Sequence, residues 1–172
     1  MHSWHGASSS VNFSVAGRAE LSGSDHTTVV YDFIRSWSDR QLALDGDLIA
    51  VDSDPELKRH YLRFRGREKE IVTVWVTVQK RTVKFETYLL PAPEENVKEC
   101  LDYLMKRNYR LHPLHLGIGP EEAVYLVGRI PLVDCDGLRL DEMIGSMIAY
   151  TDEIFPTAMS IGFRSRYRRR IT

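Results

Sequence analysis

The chain has 172 residues and a formal net charge of −1, with 43% hydrophobic and 27% charged residues. That composition excludes a wholly disordered chain, and the length lets one domain bury roughly 70% of its unfolded surface without help from a disulfide or a metal. The near-neutral balance argues against a function built on phosphate contacts, because nucleic-acid binders carry a clear basic excess.

Cys100 and Cys135 stand apart and form no CxxC pair. Two free thiols in a reducing compartment are therefore expected. No apolar run approaches the ~18 residues that a membrane span needs, and the start lacks the charged and apolar regions of a signal peptide. A cytoplasmic location is expected.

Residues 1–24 read as a flexible N-terminal tail, rich in serine (Ser8, Ser9, Ser10, Ser14, Ser22 and Ser24). His2 and His5 flank Trp4 there, but an isolated pair in a loose end makes a poor metal site. A helix should begin at Asp25, because Val29, Val30, Phe33, Ile34, Trp37 and Gln41 keep helical spacing. Asp25 or Thr27 can cap it, and Asp45-Gly46-Asp47 reads as a turn.

Three strands follow. Tyr61–Arg65 alternates polar and apolar residues. Ile71–Val78 places Val72, Val74, Val76 and Val78 on one face and Thr73, Trp75 and Thr77 on the other. Val83, Phe85, Thr87 and Leu89 make the third. Short turns at 66–69 and 79–81 predict an antiparallel meander with one face covered.

Pro93, Glu94 and Glu95 suggest the start of a second helix, since proline suits its first turn and acids its positive end. Its apolar face would be Val97, Cys100, Leu101, Leu104 and Met105. Strands at Leu114–Ile118 and Ala123–Ile130 come next, joined by the turn Gly119–Glu122. The last helix shows helical spacing at Leu140, Met143, Ile144, Met147, Ile148, Thr151, Ile154 and Phe155. Pro156 should bend or end it, leaving Met159, Ile161 and Phe163 as a second short piece. The order α-β-β-β-α-β-β-α predicts an α+β fold: an antiparallel sheet of about five strands with helices packed on one face. Residues 25–163 would be one domain, followed by a basic C-terminal tail over 164–172.

The second half resembles the YbjN family, described as bacterial sensory transduction regulators, in its actinobacterial branch. Carrying this are residues 103–108 (YLMKRN), 124–132 (VYLVGRIPL), 140–146 (LDEMIGS) and 150–155 (YTDEIF), and then Gly162-Phe163. Pro156 departs from the pattern, which more often has a polar residue there. The resemblance covers about residues 98–170 and is one of element order before that. It implies a type III secretion chaperone-like fold and homodimers, and no established catalytic site or cofactor.

Known catalytic signatures are missing: there is no GxSxG, no HExxH and no GxxxxGK[ST]. His112 and His115 are three apart on an extended segment and point to opposite faces, which disfavours a shared metal. Asp141-Glu142 and Asp152-Glu153 lie roughly 16 Å apart along the last helix, too far for a carboxylate dyad. They read as capping and a solvated face, or as an acidic partner surface or a receiver for the arginine tail. The tail carries Arg164, Arg166, Arg168, Arg169 and Arg170, with Tyr167 between them. Phosphate contact and stacking could use it. Trp75 is either core or a dimer or partner surface, where aromatics are enriched. The expectation is a non-enzymatic protein-binding domain, chaperone-like or regulatory and dimeric. The alternative is a nucleic-acid-associated regulator working through the tail.

Overall fold

The computed structural model describes residues 23–167. The expected tail, but for its last two residues, lies outside them, as do Arg168, Arg169 and Arg170. The described elements are α1 (Gly23–Leu42), β1 (Leu48–Asp54), β2 (Arg59–Arg65), β3 (Ile71–Val78), β4 (Thr82–Leu90), α2 (Val97–Asn108), β5 (His115–Ile118), β6 (Val124–Pro131) and α3 (Gly137–Gly162). The fold is α+β, with one antiparallel sheet in the order β1-β2-β3-β4-β6-β5.

The sheet has six strands rather than about five. The additional one, β1, contains Asp52, Ser53 and Asp54 and buries only Leu48 fully, as an edge strand can. Charge on such an edge also blunts pairing with other chains.

Alternation along the strands sends one set of side chains inward. Leu62 and Phe64 of β2, Val72, Val74, Val76 and Val78 of β3, and Val83 and Phe85 of β4 are buried. They pack with Val30, Ile34 and Trp37 of α1 and with Leu140, Met143 and Met147 of α3. Each large side chain fully buried in this way contributes roughly 1.5–3 kcal/mol. A second cluster joins Leu89, Leu90 and Val124 to Cys100 and Leu104 of α2 and to Ile154, Ala158 and Phe163 at the far end of the chain.

Helix α1 begins at Gly23, two residues before the expected Asp25 and inside the expected tail. Two further helix boundaries differ from expectation, for related reasons. Helix α2 starts at Val97, not Pro93, and follows a left-handed Asn96 (φ 45°). Helix α3 does not end at Pro156 but continues to Gly162. The segment before α2 instead closes the end of α3. The backbone N–H groups of Glu94 and Glu95 donate to the Gly162 carbonyl at 3.1 and 2.9 Å. The side-chain amide of Asn96 donates to the Ile161 carbonyl at 3.0 Å. Carbonyls that a helix end leaves unpaired are thus satisfied. Together with burial of Ala158 and Phe163, this holds the turns beyond the proline. At its other end α3 is capped by Asp136, whose carboxylate accepts the Arg139 N–H at 2.8 Å. The expected separate piece at Met159, Ile161 and Phe163 is therefore the last turn of α3 and the buried residue after it.

Candidate partner-binding surface

The same alternation that fills the core sends Arg59, Tyr61 and Arg63 of β2, Thr73 and Trp75 of β3, Lys84, Glu86 and Tyr88 of β4, and Tyr125 and Arg129 of β6 to the other side of the sheet. The described helices all pack on the inner side. Cross-strand register brings residues distant in sequence together here: Tyr61 lies opposite Trp75, Trp75 opposite Glu86, and Tyr88 opposite Tyr125.

The four aromatic rings form a contiguous strip. Tyr61 and Trp75 have centroids 6.4 Å apart, Trp75 and Tyr125 6.2 Å, and Tyr125 and Tyr88 5.6 Å. The contacts are tilted or edge-to-face, as the ring quadrupoles prefer. The Arg59 guanidinium lies 5.4 Å from the Trp75 ring and 5.9 Å from that of Tyr61, a favourable cation–π arrangement. Its Nε donates to the Thr77 hydroxyl at 2.8 Å. Trp75 is half-buried and belongs to this outer strip, whereas Trp37 is in the core.

The acidic residues singled out from the sequence are not brought together. Asp141 and Glu142 sit in the second turn of α3, and Glu142 pairs with Arg139 at 2.7 Å. Asp152 accepts the backbone N–H groups of Arg67 and Glu68. Glu153 pairs with Arg107 of α2. Among the described tail arginines, Arg164 is exposed and Arg166 pairs with Glu94 at 3.0 Å rather than with the acids of α3. Ser165 bonds to the neighbouring Glu95 carboxylate.

Cys100 and Cys135 are both free. Burial raises both thiols, Cys135 to about 11 with help from the adjacent Asp136. The thiolate form that a nucleophile needs is therefore suppressed. Among the described residues no group of three or more His, Cys, Asp or Glu could hold a metal. The sequence reading missed a Ser–His pair, because Ser53 lies on the unforeseen β1. His60 is buried with its ring stacked on Tyr31 at 4.2 Å. Its Nε2 is 2.9 Å from the Tyr31 carbonyl, to which it donates, so Nδ1 accepts from the Ser53 hydroxyl at 2.7 Å. Arg35 donates to the same hydroxyl at 2.8 Å. Both ring nitrogens are thus engaged, and the arrangement ties the edge strand to α1.

The described chain is an α+β protein with helices on one side of its sheet and an aromatic, partly charged surface on the other. No helix among the described residues is long and apolar enough to cross a membrane. No family model matches the sequence. It is similar to uncharacterised proteins of Mycobacterium bovis and Mycobacterium tuberculosis, each 27% identical over 104 residues, covering 60% of this chain and 57% of theirs. One from Mycobacterium leprae is 27% identical over 109 residues, covering 63% and 59%. The match thus spans less than two thirds of the length of these relatives. Among solved structures, the Yersinia pestis type III secretion chaperone SycH, crystallised with a stable fragment of YscM2, matches at 11% identity and a TM-score of 0.49. That match covers 73% of this chain and 98% of SycH. At that distance the likeness carries no functional argument.

Proposed function

We propose that this chain is a non-enzymatic protein-binding module of the YbjN type, chaperone-like or regulatory, acting as a homodimer in the cytoplasm. Residues 25–163 form its domain, and residues 1–24 and 164–172 its tails. One observation carries the reading: a six-stranded sheet whose outer face, open among the described residues, holds the contiguous strip Tyr61, Trp75, Tyr125 and Tyr88. Tyrosine, tryptophan and arginine are the residues enriched in protein interfaces. The resemblance over residues 98–170 supports the same class.

The test is affinity capture from lysate with the intact protein and with a Trp75→Ser/Tyr125→Ser variant, read by mass spectrometry beside light scattering of each. A protein retained by the intact form in near-equal amount and lost from the variant supports the reading. Turnover of a substrate by the purified chain would sink it, and a monomeric mass at micromolar concentration would remove the dimer. The alternative, a nucleic-acid regulator using the arginine tail, requires salt-sensitive DNA or RNA binding that disappears when residues 164–172 are deleted. The pairing of Arg166 with Glu94 counts against it.

A further inference from the structure

On the outer face a line of cations runs across the strands. Arg59 of β2 is opposite Thr77 of β3, Thr77 is opposite Lys84 of β4, and Lys84 is opposite Arg129 of β6. With strands ~4.8 Å apart, the line from Arg59 to Arg129 is roughly 14 Å long. Like charges directly opposite one another in a sheet are destabilising, yet Lys84 and Arg129 occupy such a pair. Glu86 compensates Lys84 at 2.5 Å. Among the described residues no carboxylate pairs with Arg129. A cleft of about 290 Å³ opens beside the pair, lined by Lys84, Glu86, His115, Tyr125 and Arg129. Places where a sequence breaks a local pairing rule are expected at functional sites.

We propose that this line receives an extended acidic segment of a partner protein, whose carboxylates meet Arg129 with Lys84 at one end and Arg59 at the other. The proposal rests on the protein-binding reading above and gives that partner a chemistry. An extended chain advances ~3.3 Å per residue, so two acidic residues about four positions apart match the roughly 14 Å line. Tyr61 and Trp75, in the next row, then lie beside the Arg59 end of the segment, and Tyr125 shares the cleft with Arg129. These rings shield the charge pairs from water, which strengthens them. Single-stranded nucleic acid fits less well. Base stacking needs free ring faces, whereas these rings meet at interplanar angles of 76°, 51° and 88°, with Arg59 over two of them.

The experiment is fluorescence anisotropy on the full chain with three labelled probes. One is a peptide of about ten residues with two glutamates four positions apart and an apolar residue between them. The second is its diglutamine twin, and the third a thymidine strand of similar length. The glutamate peptide should bind at least about tenfold more tightly than its twin. Arg129→Gln and Arg59→Gln, with circular dichroism unchanged, should each remove most of that difference, and added salt should weaken it. No binding of the glutamate peptide, equal binding of the twin, or indifference to Arg129→Gln would overturn the proposal. So would tighter binding of the thymidine strand through the same arginines. If the acidic preference fails while a captured protein still depends on Trp75, only the charge chemistry falls and the protein-binding reading stands.

Discussion

Asp152 of α3 accepts the backbone N–H of Glu68 in the β2–β3 turn at 3.1 Å, and that of Arg67 at the same distance. A helix carboxylate thus satisfies two turn donors from a segment more than eighty residues earlier. Asp152→Ala should lower stability by about 1.5–2 kcal/mol, the lower part of the range for charge-assisted bonds because the turn is partly wet. Asp141→Ala, on the same helix but without such bonds, should stay within about 0.5 kcal/mol. Urea unfolding separates them: the Asp152 variant should shift the midpoint with an unchanged slope. Equal midpoints for the two variants would refute the role given to Asp152.

The contrast between these two aspartates marks where sequence reasoning stops. Ile71–Val78 was legible to the residue, because β-branched residues alternate there without interruption. The outward direction of Trp75 followed from the same alternation. Strand β1 was not legible: Asp52, Ser53 and Asp54 look like loop, and an edge strand needs little burial. Pro93-Glu94-Glu95 imitates a helix start, but its N–H groups are used on the end of α3, a contact between distant segments. The neighbours of Trp75 were hidden for the same reason, since Tyr61 and Tyr125 reach it only through the register of β2 on β3 and the placement of β6 beside β4. Arg59 fell outside the strand expected from Tyr61 onward, so the cationic line could not be drawn.

Gly128 makes a packing prediction. It faces inward on β6, opposite Phe85, where a Cβ would lie 2.4 Å from Met143 Cε and 2.6 Å from Leu114 Cδ2. Both are side-chain ends that can move at a cost. Gly128→Ala should therefore destabilise by about 1–3 kcal/mol, and Gly128→Val by more. Met143→Ala costs stability of its own as a buried side chain is cut back, but Gly128→Ala should cost less in that background than in the native chain, a coupling read from a double-mutant cycle of thermal unfolding. Strict additivity would show that the two sites do not meet.

His60 makes a pH prediction. Burial lowers its imidazole below the ordinary 6.5, with Arg35 acting in the same direction, against the opposing effects of the Tyr31 carbonyl, Asp39 and Asp32. The unfolded chain then takes up a proton more readily than the folded one. The stability that neutral His60 contributes is complete above about pH 6.5 and is lost as pH falls through its depressed folded value. Stability measured from pH 7.5 down to 5 should fall more steeply in the native chain than in His60→Gln, even though the variant starts lower. Parallel profiles would contradict the burial argument.

Lys69 carries the same burial penalty at the β2–β3 turn, in a higher pH range. Its ammonium donates to the carbonyls of Tyr88 and Leu89 and lies 4.9 Å from the Tyr88 ring and 5.9 Å from that of Phe155. Carbonyls and ring faces solvate the charge incompletely, and burial pushes the group down to about 8 from its ordinary 10.5. Between those two values the unfolded chain holds more protons than the folded one, so Lys69's contribution to stability rises with pH across that window. Relative to Lys69→Met, the native chain should become steadily more stable from pH 8 toward 10.5 and run parallel to it below pH 7. The comparison with the variant cancels the other lysines and tyrosines that titrate in that range. A difference that stays constant across the window would mean that the Lys69 charge is as well solvated in the fold as in water.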